Sequence, residues 1–228
     1  MTVMMTALDG LRRMISSGEL GPGQRFPPEA ELCSRLDVSR SSLREAVRVL
    51  DTLGVIEVRH GSGTYVSRLD PADVVRGFSV TVDLLPLDGL LQLFEIRRVL
   101  EGNAAAQAAA RAPEGLVERL TALCDEMEAS DDVSAVTELD DEFHEAICVA
   151  AGNATVTSLI AVFRSRGRHY KIFDSDPSAP VKRTSDEGHR AIVEAIARRD
   201  PAAATAAAAS HVARTEFWLS TLQPAPES

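Results

Sequence analysis

Three cysteines in 228 residues are too few and too scattered to staple a fold. Cys33, Cys124 and Cys148 are odd in number, lack CxxC spacing and each fall within a helical pattern, which excludes a disulfide framework. Long apolar runs are also missing. No stretch is long enough to span a bilayer, and Met1 to Met5 does not begin a secretory signal. These absences predict a reduced, soluble, cytoplasmic protein with no membrane partner. A surplus of positive charge is lacking too: 24 Lys and Arg stand against 34 Asp and Glu, a formal net charge of -10. Spread evenly, that charge would disfavour nucleic acid.

It is not spread evenly. Residues 1–68 hold 9 basic and 8 acidic side chains, net +1, which leaves 15 and 26, net -11, for residues 69–228. The length suits two modest domains, and the acidity belongs to the second. A near-neutral first domain with locally placed arginines remains able to bind DNA, with modest and strongly salt-dependent nonspecific affinity.

The first part reads as three helices and a hairpin. Leu8, Leu11 and Ile15 mark an opening helix that ends at Gly18, and Gly21-Pro22-Gly23 is a turn. Pro28 suits the first turn of a second helix, where Glu29 and Glu31 favour the positive end of its dipole. Asp37 makes a short turn into a third helix. Ser39 is a preferred N-cap, Val38 and Leu43 occupy staple positions, and Leu43, Ala46, Val47 and Leu50 form a core-facing stripe. Arg40, Ser41, Arg44 and Arg48 lie outside that stripe, so the first turn offers guanidinium, hydroxyl and backbone donors to phosphates or base edges. Val55 to Arg59 reads as a strand, His60-Gly61-Ser62-Gly63 as a tip and Thr64 to Val66 as the return. An arginine stripe alone is commonly a solvated face; a helix-turn-helix followed by a wing is the frame that lays one helix in the major groove.

Here the residues resemble a known family. Gly18-Glu19-Leu20-Gly21-Pro22-Gly23, Pro28-Glu29-Ala30-Glu31-Leu32, Val38-Ser39-Arg40, Leu43-Arg44-Glu45-Ala46 and Gly61-Ser62-Gly63-Thr64-Tyr65-Val66 look like the GntR family of bacterial transcription regulators. The resemblance covers nearly all of residues 5–67. It implies that Arg40, Ser41, Ser42, Arg44, His60 and Gly61 contact operator DNA, with Ser39 at the same helix start. Ala30 departs from the pattern, standing where the family commonly has a DNA-touching arginine.

Beyond Pro71 the chain turns rich in alanine and leucine and predicts helices over 72–84, 89–110, 114–128, 133–151, 154–173 and 182–222, the last broken at Asp200-Pro201. The alanine run 202–209 predicts close helix packing. The fold class is thus mainly α: a winged helix-turn-helix with a small β-hairpin wing over 1–68, then an all-α bundle over 69–228. Histidines are scarce, only five. Asp140 and His144 are four apart on one helix face and could chelate jointly, with His189 and His211 on later helices. On spacing alone the commoner role for such histidines is structural.

Asp140-Asp141-Glu142-Phe143-His144-Glu145-Ala146, Ala151-Gly152-Asn153 and His189 followed by Ala195-Ile196, Asp200 and His211 resemble the FCD ligand-binding domain of the FadR subfamily. That resemblance implies a divalent metal on Asp140, His144, His189 and His211. It also implies that Arg97, within Glu95 to Glu101, lines the cavity and meets a carboxylate effector. Mixed Asp and His ligation admits zinc, nickel, manganese or iron. Arg164, Arg166, Arg168 and His169 could line the same pocket, although for most of them a solvated cationic face is the commoner role, and Asn153 reads as a cap. The expectation is a homodimeric, non-enzymatic regulator, a repressor of double-stranded operator DNA answering a small organic acid. The rivals are a helical metalloenzyme and a regulator whose metal is purely structural.

Overall fold

In the computed structural model, which describes residues 3–71, 75, 78–168 and 180–223, the apolar stripes of the first 66 residues close on one small core. Helix α1 (Val3–Ser16), α2 (Glu29–Leu36) and α3 (Arg40–Thr52) contribute Leu11, Leu32, Leu43, Ala46 and Leu50, and strands β1 (Ile56–Arg59) and β2 (Gly63–Val66) close it with Ile56 and Val66. Burying each of these larger side chains is worth about 1.5–3 kcal/mol. The hairpin is antiparallel, with Ile56 opposite Val66 and Arg59 opposite Gly63.

Local chemistry sets the helix ends. Ser39 Oγ accepts from Ser42 N–H at 3.2 Å, the predicted N-cap of α3, and Asp37 closes α2 in the left-handed region at φ 51°. Pro28 stands one position earlier than expected, as an extended N-cap rather than within the first turn. Val55 is not in the strand: its N–H bonds Leu50 O, tying it to the end of α3, so β1 starts at Ile56.

The chain divides into two compact units, Met1–Gly77 and Phe78–Ser228. The second unit is helical: α4 (Ser79–Asp83), α5 (Leu87–Arg111), α6 (Leu116–Ala129), α7 (Val133–Ala151), α8 (Ala154–Arg168), α9 (Val181–Ala197) and α10 (Pro201–Leu222). Of the expected 72–84 helix, 72–74, 76 and 77 lie outside the described residues, as do 169–173 of the expected 154–173 helix. The break before Pro201 is a cap: Asp200 Oδ1 accepts from Ala202 and Ala203 N–H at 3.1 and 3.0 Å, and proline follows at the first helical position.

The alanine run does what small side chains allow. Ala204 and Ala208 of α10 join Ala104, Ala105, Ala108 and Ala109 of α5 in one buried core, and a Cβ at Gly102 would come 3.4 Å from the Thr205 carbonyl oxygen. All three cysteines are free, and burial pushes the Cys148 thiol up to about 12, so it stays protonated. Among the described residues no helix is long and apolar enough to cross a membrane.

Candidate functional site

The first unit presents one built surface. Ser39 Oγ lies 2.9 and 3.0 Å from the hydroxyls of Ser41 and Ser42, so the start of α3 carries a cluster of three hydroxyls beside two outward arginines. The Arg40 and Arg44 side chains are 73% and 65% exposed, which leaves their donors accessible to a duplex. Neither is unguided. Arg44 Nε donates to Glu29 Oε2 at 3.0 Å, and Arg40 Nε lies 4.0 Å from Glu29 Oε1, so one carboxylate on α2 aims both. Ala30 is exposed beside Glu29 and offers no donor. His60 and Gly61 stand exposed at the wing tip, where φ of 71° at Gly61 makes the turn that glycine accepts without strain. Below them Arg59 lies over the Tyr65 ring, 4.4 Å from its centroid, and Ser62 Oγ meets the Tyr65 hydroxyl at 2.7 Å. A groove of about 650 Å³ between α2, α3 and the wing also brings Arg25 and Arg48 beside Arg44.

The second unit gathers the histidines. Asp140 and His144 project from α7, His189 from α9 and His211 from α10, and one potential ligand atom from each falls within 4.8 Å of all the others. Two donors on one ion stand at most about 4.2 Å apart at usual metal–nitrogen distances, so the set is slightly wider than a single ion's reach and side-chain adjustment would close it. The three imidazoles are at most 6% exposed. Their ring centroids are 4.5, 5.2 and 5.5 Å apart. His189 Nε2 is 3.0 Å from Asp140 Oδ1 but lacks the alignment of a hydrogen bond, and His144 Nε2 is 3.8 Å from the same oxygen. Among the described residues, His144 Nε2, both nitrogens of His189 and His211 Nδ1 are buried without a hydrogen-bond partner. Each such orphan costs about 1–3 kcal/mol unless something else satisfies it.

Charge agrees with geometry. Burial, with repulsion from Arg164, holds His144 well below the ordinary histidine value; burial and His189 do the same for His211. Burial would raise Asp140, but Arg164, His189 and His144 outweigh it and keep its carboxyl well below the usual range. Neutral imidazoles with open lone pairs beside an ionised carboxylate are the donor set a divalent transition metal takes. Gly188 leaves the room: a Cβ there would stand 2.5 Å from His211 Nδ1.

Two further residues complete the centre. Arg164 lines the pocket rather than a solvated face: its side chain is only 11% exposed and grips Asp140 Oδ2 at 2.5 Å, with Asp141 at 3.6 Å; its acidic partners raise it above its ordinary value despite the loss of solvent. Glu101 accepts from Arg97 Nε at 2.8 Å and turns its other oxygen to His144 Nδ1 at 3.4 Å and Arg164 at 3.6 Å. Burial lowers the Arg97 guanidinium, opposed by Glu101, and its plane lies 4.6 Å over Phe94. The i, i+4 spacing of Arg97 and Glu101 was a readable signal, whereas Arg164 reaches Asp140 only through the tertiary fold. The described structure does not include the side chains of Arg166 and Arg168, and His169 lies outside the described residues. Asn153 is a cap, accepting from Thr155 and Val156 N–H. A cavity of about 80 Å³ opens beside the cluster, bounded by Arg97, Asp140, Arg164, His211, Arg214 and Trp218 among others.

Comparison with known proteins gives these two units a common setting. Residues 6–66 match the model for bacterial regulatory proteins of the gntR family, and residues 92–214 match the FCD domain. The chain is 34% identical over 200 residues to the HTH-type transcriptional regulator YcbG of Bacillus subtilis (strain 168), spanning 88% of this chain and 82% of that protein. It is 31% identical over 223 residues to the Glc operon transcriptional activator of Escherichia coli (strain K12), spanning 90% and 84%. A solved structure of Streptococcus agalactiae GntR superposes with a TM-score of 0.57 at 33% identity, covering 95% of this chain and 99% of that one. A winged helix-turn-helix carried with an FCD helical domain defines a DNA-binding transcriptional regulator. The chain belongs to the gntR family.

Proposed function

We propose that this regulator is a metal-dependent sensor of a small carboxylate, with residues 1–68 reading operator DNA and residues 69–228 sensing. The chain acts in the cytoplasm as a homodimer whose two winged helices grip a pseudo-palindromic operator, each through Ser39, Arg40, Ser41, Ser42, Arg44, His60 and Gly61. Asp140, His144, His189 and His211 hold one divalent metal, which supplies open positions for a carboxylate; Arg97 pairs with the same ligand. Arg164 and Glu101 position the ligands, the first by occupying one oxygen of Asp140, the second by bracing His144.

Ligand binding works by linkage: an acid that favours one spacing of the two DNA-binding units changes operator affinity by its differential binding to the two states. We read the chain as a repressor released by its ligand; that it regulates rather than catalyses is in keeping with relatives that carry the names of transcriptional regulators and activators. The observation that carries the reading is the set of four ligand atoms within 4.8 Å, three of them on buried imidazoles whose nitrogens are left unsatisfied. Elemental analysis of protein purified without chelator tests it. About one zinc, nickel, manganese or iron per chain is expected, lost in Asp140→Ala and His144→Ala; a metal-free wild type that takes up none of them on dialysis would refute it.

A further inference from the structure

Three guanidinium groups and a single carboxylate line the cavity beside the metal-ligand set: Arg97, Arg164 and Arg214 against Asp140. Two of the three are already neutralised, Arg97 by Glu101 at 2.8 Å and Arg164 by Asp140 at 2.5 Å. Arg214 is different. Its Nη1 donates to the Thr184 carbonyl at 3.2 Å and its Nη2 to Ser210 Oγ at 3.4 Å, both neutral acceptors, and among the described residues no carboxylate pairs with it. A half-buried cation facing a cavity with only neutral partners lacks a counter-ion.

Its place on α10 says where that counter-ion sits. His211, Arg214, Thr215 and Trp218 recur at i, i+3, i+4 and i+7, and all four line the cavity, so one face of the helix runs from the metal-ligand set along the wall. Residues three apart on a helix have Cβ atoms about 5–6 Å apart, so the Arg214 and His211 side chains leave α10 as neighbours on the wall of one small cavity. A short ligand with an anionic group at each end, such as a four-carbon diacid, can meet both.

We infer that Arg214 is a specificity-determining residue for a second carboxylate, and that the ligand class is a short dicarboxylate rather than a simple monocarboxylic acid. This rests on the proposed sensing function and deepens it. The acid's first carboxylate lies by His211 and Arg97, and its second pairs with Arg214.

The chain's one tryptophan, Trp218, is in the cavity wall and reports binding by its fluorescence. The test uses zinc-loaded full-length protein and two probes with the same hydroxy-acid head: L-malate, which carries a distal carboxylate, and L-lactate, which ends in a methyl group and lacks it. Wild type is expected to bind malate at least ten-fold more tightly than lactate. In Arg214→Gln that preference should collapse to within two-fold, and Arg214→Lys, which keeps the charge, should retain part of it; unchanged thermal melting shows that both variants fold. Equal affinity of wild type for the two acids, or a preference that survives Arg214→Gln, overturns the inference while the sensing function stands. If neither acid alters Trp218 fluorescence or releases heat with wild type, the sensing of small acids fails and this inference with it.

Discussion

Glu29 shows how one residue can orient the groups of a surface proposed to face DNA. It pairs with Arg44 and approaches Arg40, the two outward arginines at the start of α3. Such an exposed pair is worth at most about 1 kcal/mol of folding stability, so its consequence lies in orientation and charge. Glu29→Gln should raise affinity for random duplexes, since it removes a negative charge beside the interface, and should lower the ratio of operator to random binding. Fluorescence anisotropy at matched salt measures both, and an unchanged ratio would contradict the positioning role. Arg44→Ala should cost about 1–3 kcal/mol of operator affinity in the same assay. The arginines and Ser39 were legible in the sequence because capping and helical period are local. Glu29 was legible only as a favourable charge in a first turn, because its partners lie 11 and 15 positions away on the next helix.

Histidine protonation gives a second prediction at the same scale. His144 and His211 titrate in the folded chain below the unfolded value near 6.5, held down by burial. As pH falls through 6.5 the unfolded chain therefore takes up protons first, so their contribution to stability is complete above that pH and shrinks below it. Asp140 acts in the same direction at lower pH, since its folded value also lies below its unfolded one. The melting temperature of metal-free protein should fall between pH 6.5 and 5, and less so in His144→Asn. A midpoint that is flat or rises over that interval would contradict the burial of neutral imidazoles.

At the level of elements, the helical period and the breakers at Pro86, Pro113, Gly152 and Pro201 were enough to place the major helices of the second unit within a few residues. Strand limits were less legible, since Val55 continues the apolar run but its N–H is captured by Leu50 O. The small residues had meanings that the sequence did not reveal. Gly188 appeared only as the residue before a histidine; in the fold it is the gap into which His211 fits. Gly188→Ala should displace that ring and weaken zinc binding at least ten-fold in a chelator competition, with helical circular dichroism retained. Unaltered zinc affinity would show that His211 is not confined as described. Ser39→Ala should cost about 1 kcal/mol in urea unfolding, through loss of the α3 cap.

On the scale of the whole molecule, a chain of net charge -10 carries its DNA reader in the one region where basic and acidic residues balance. Overall charge concealed this, and the division by region disclosed it. The core of the second unit was legible as periodicity, but its polar centre only in part. Asp140 and His144 share a helix face, whereas Arg164 and Glu101 join them through contacts 24 to 63 positions apart, which no local spacing encodes. If the proposed function holds, an acid bound at this centre changes how the first unit holds DNA. The deciding measurement is anisotropy of zinc-loaded full-length protein on an operator it has selected from random duplexes, with and without millimolar malate. Adding the acid should lower the operator affinity of wild type at least ten-fold and change that of His144→Ala by less than two-fold. Operator affinity that ignores the acid in wild type, or responds equally in the variant, would contradict that function.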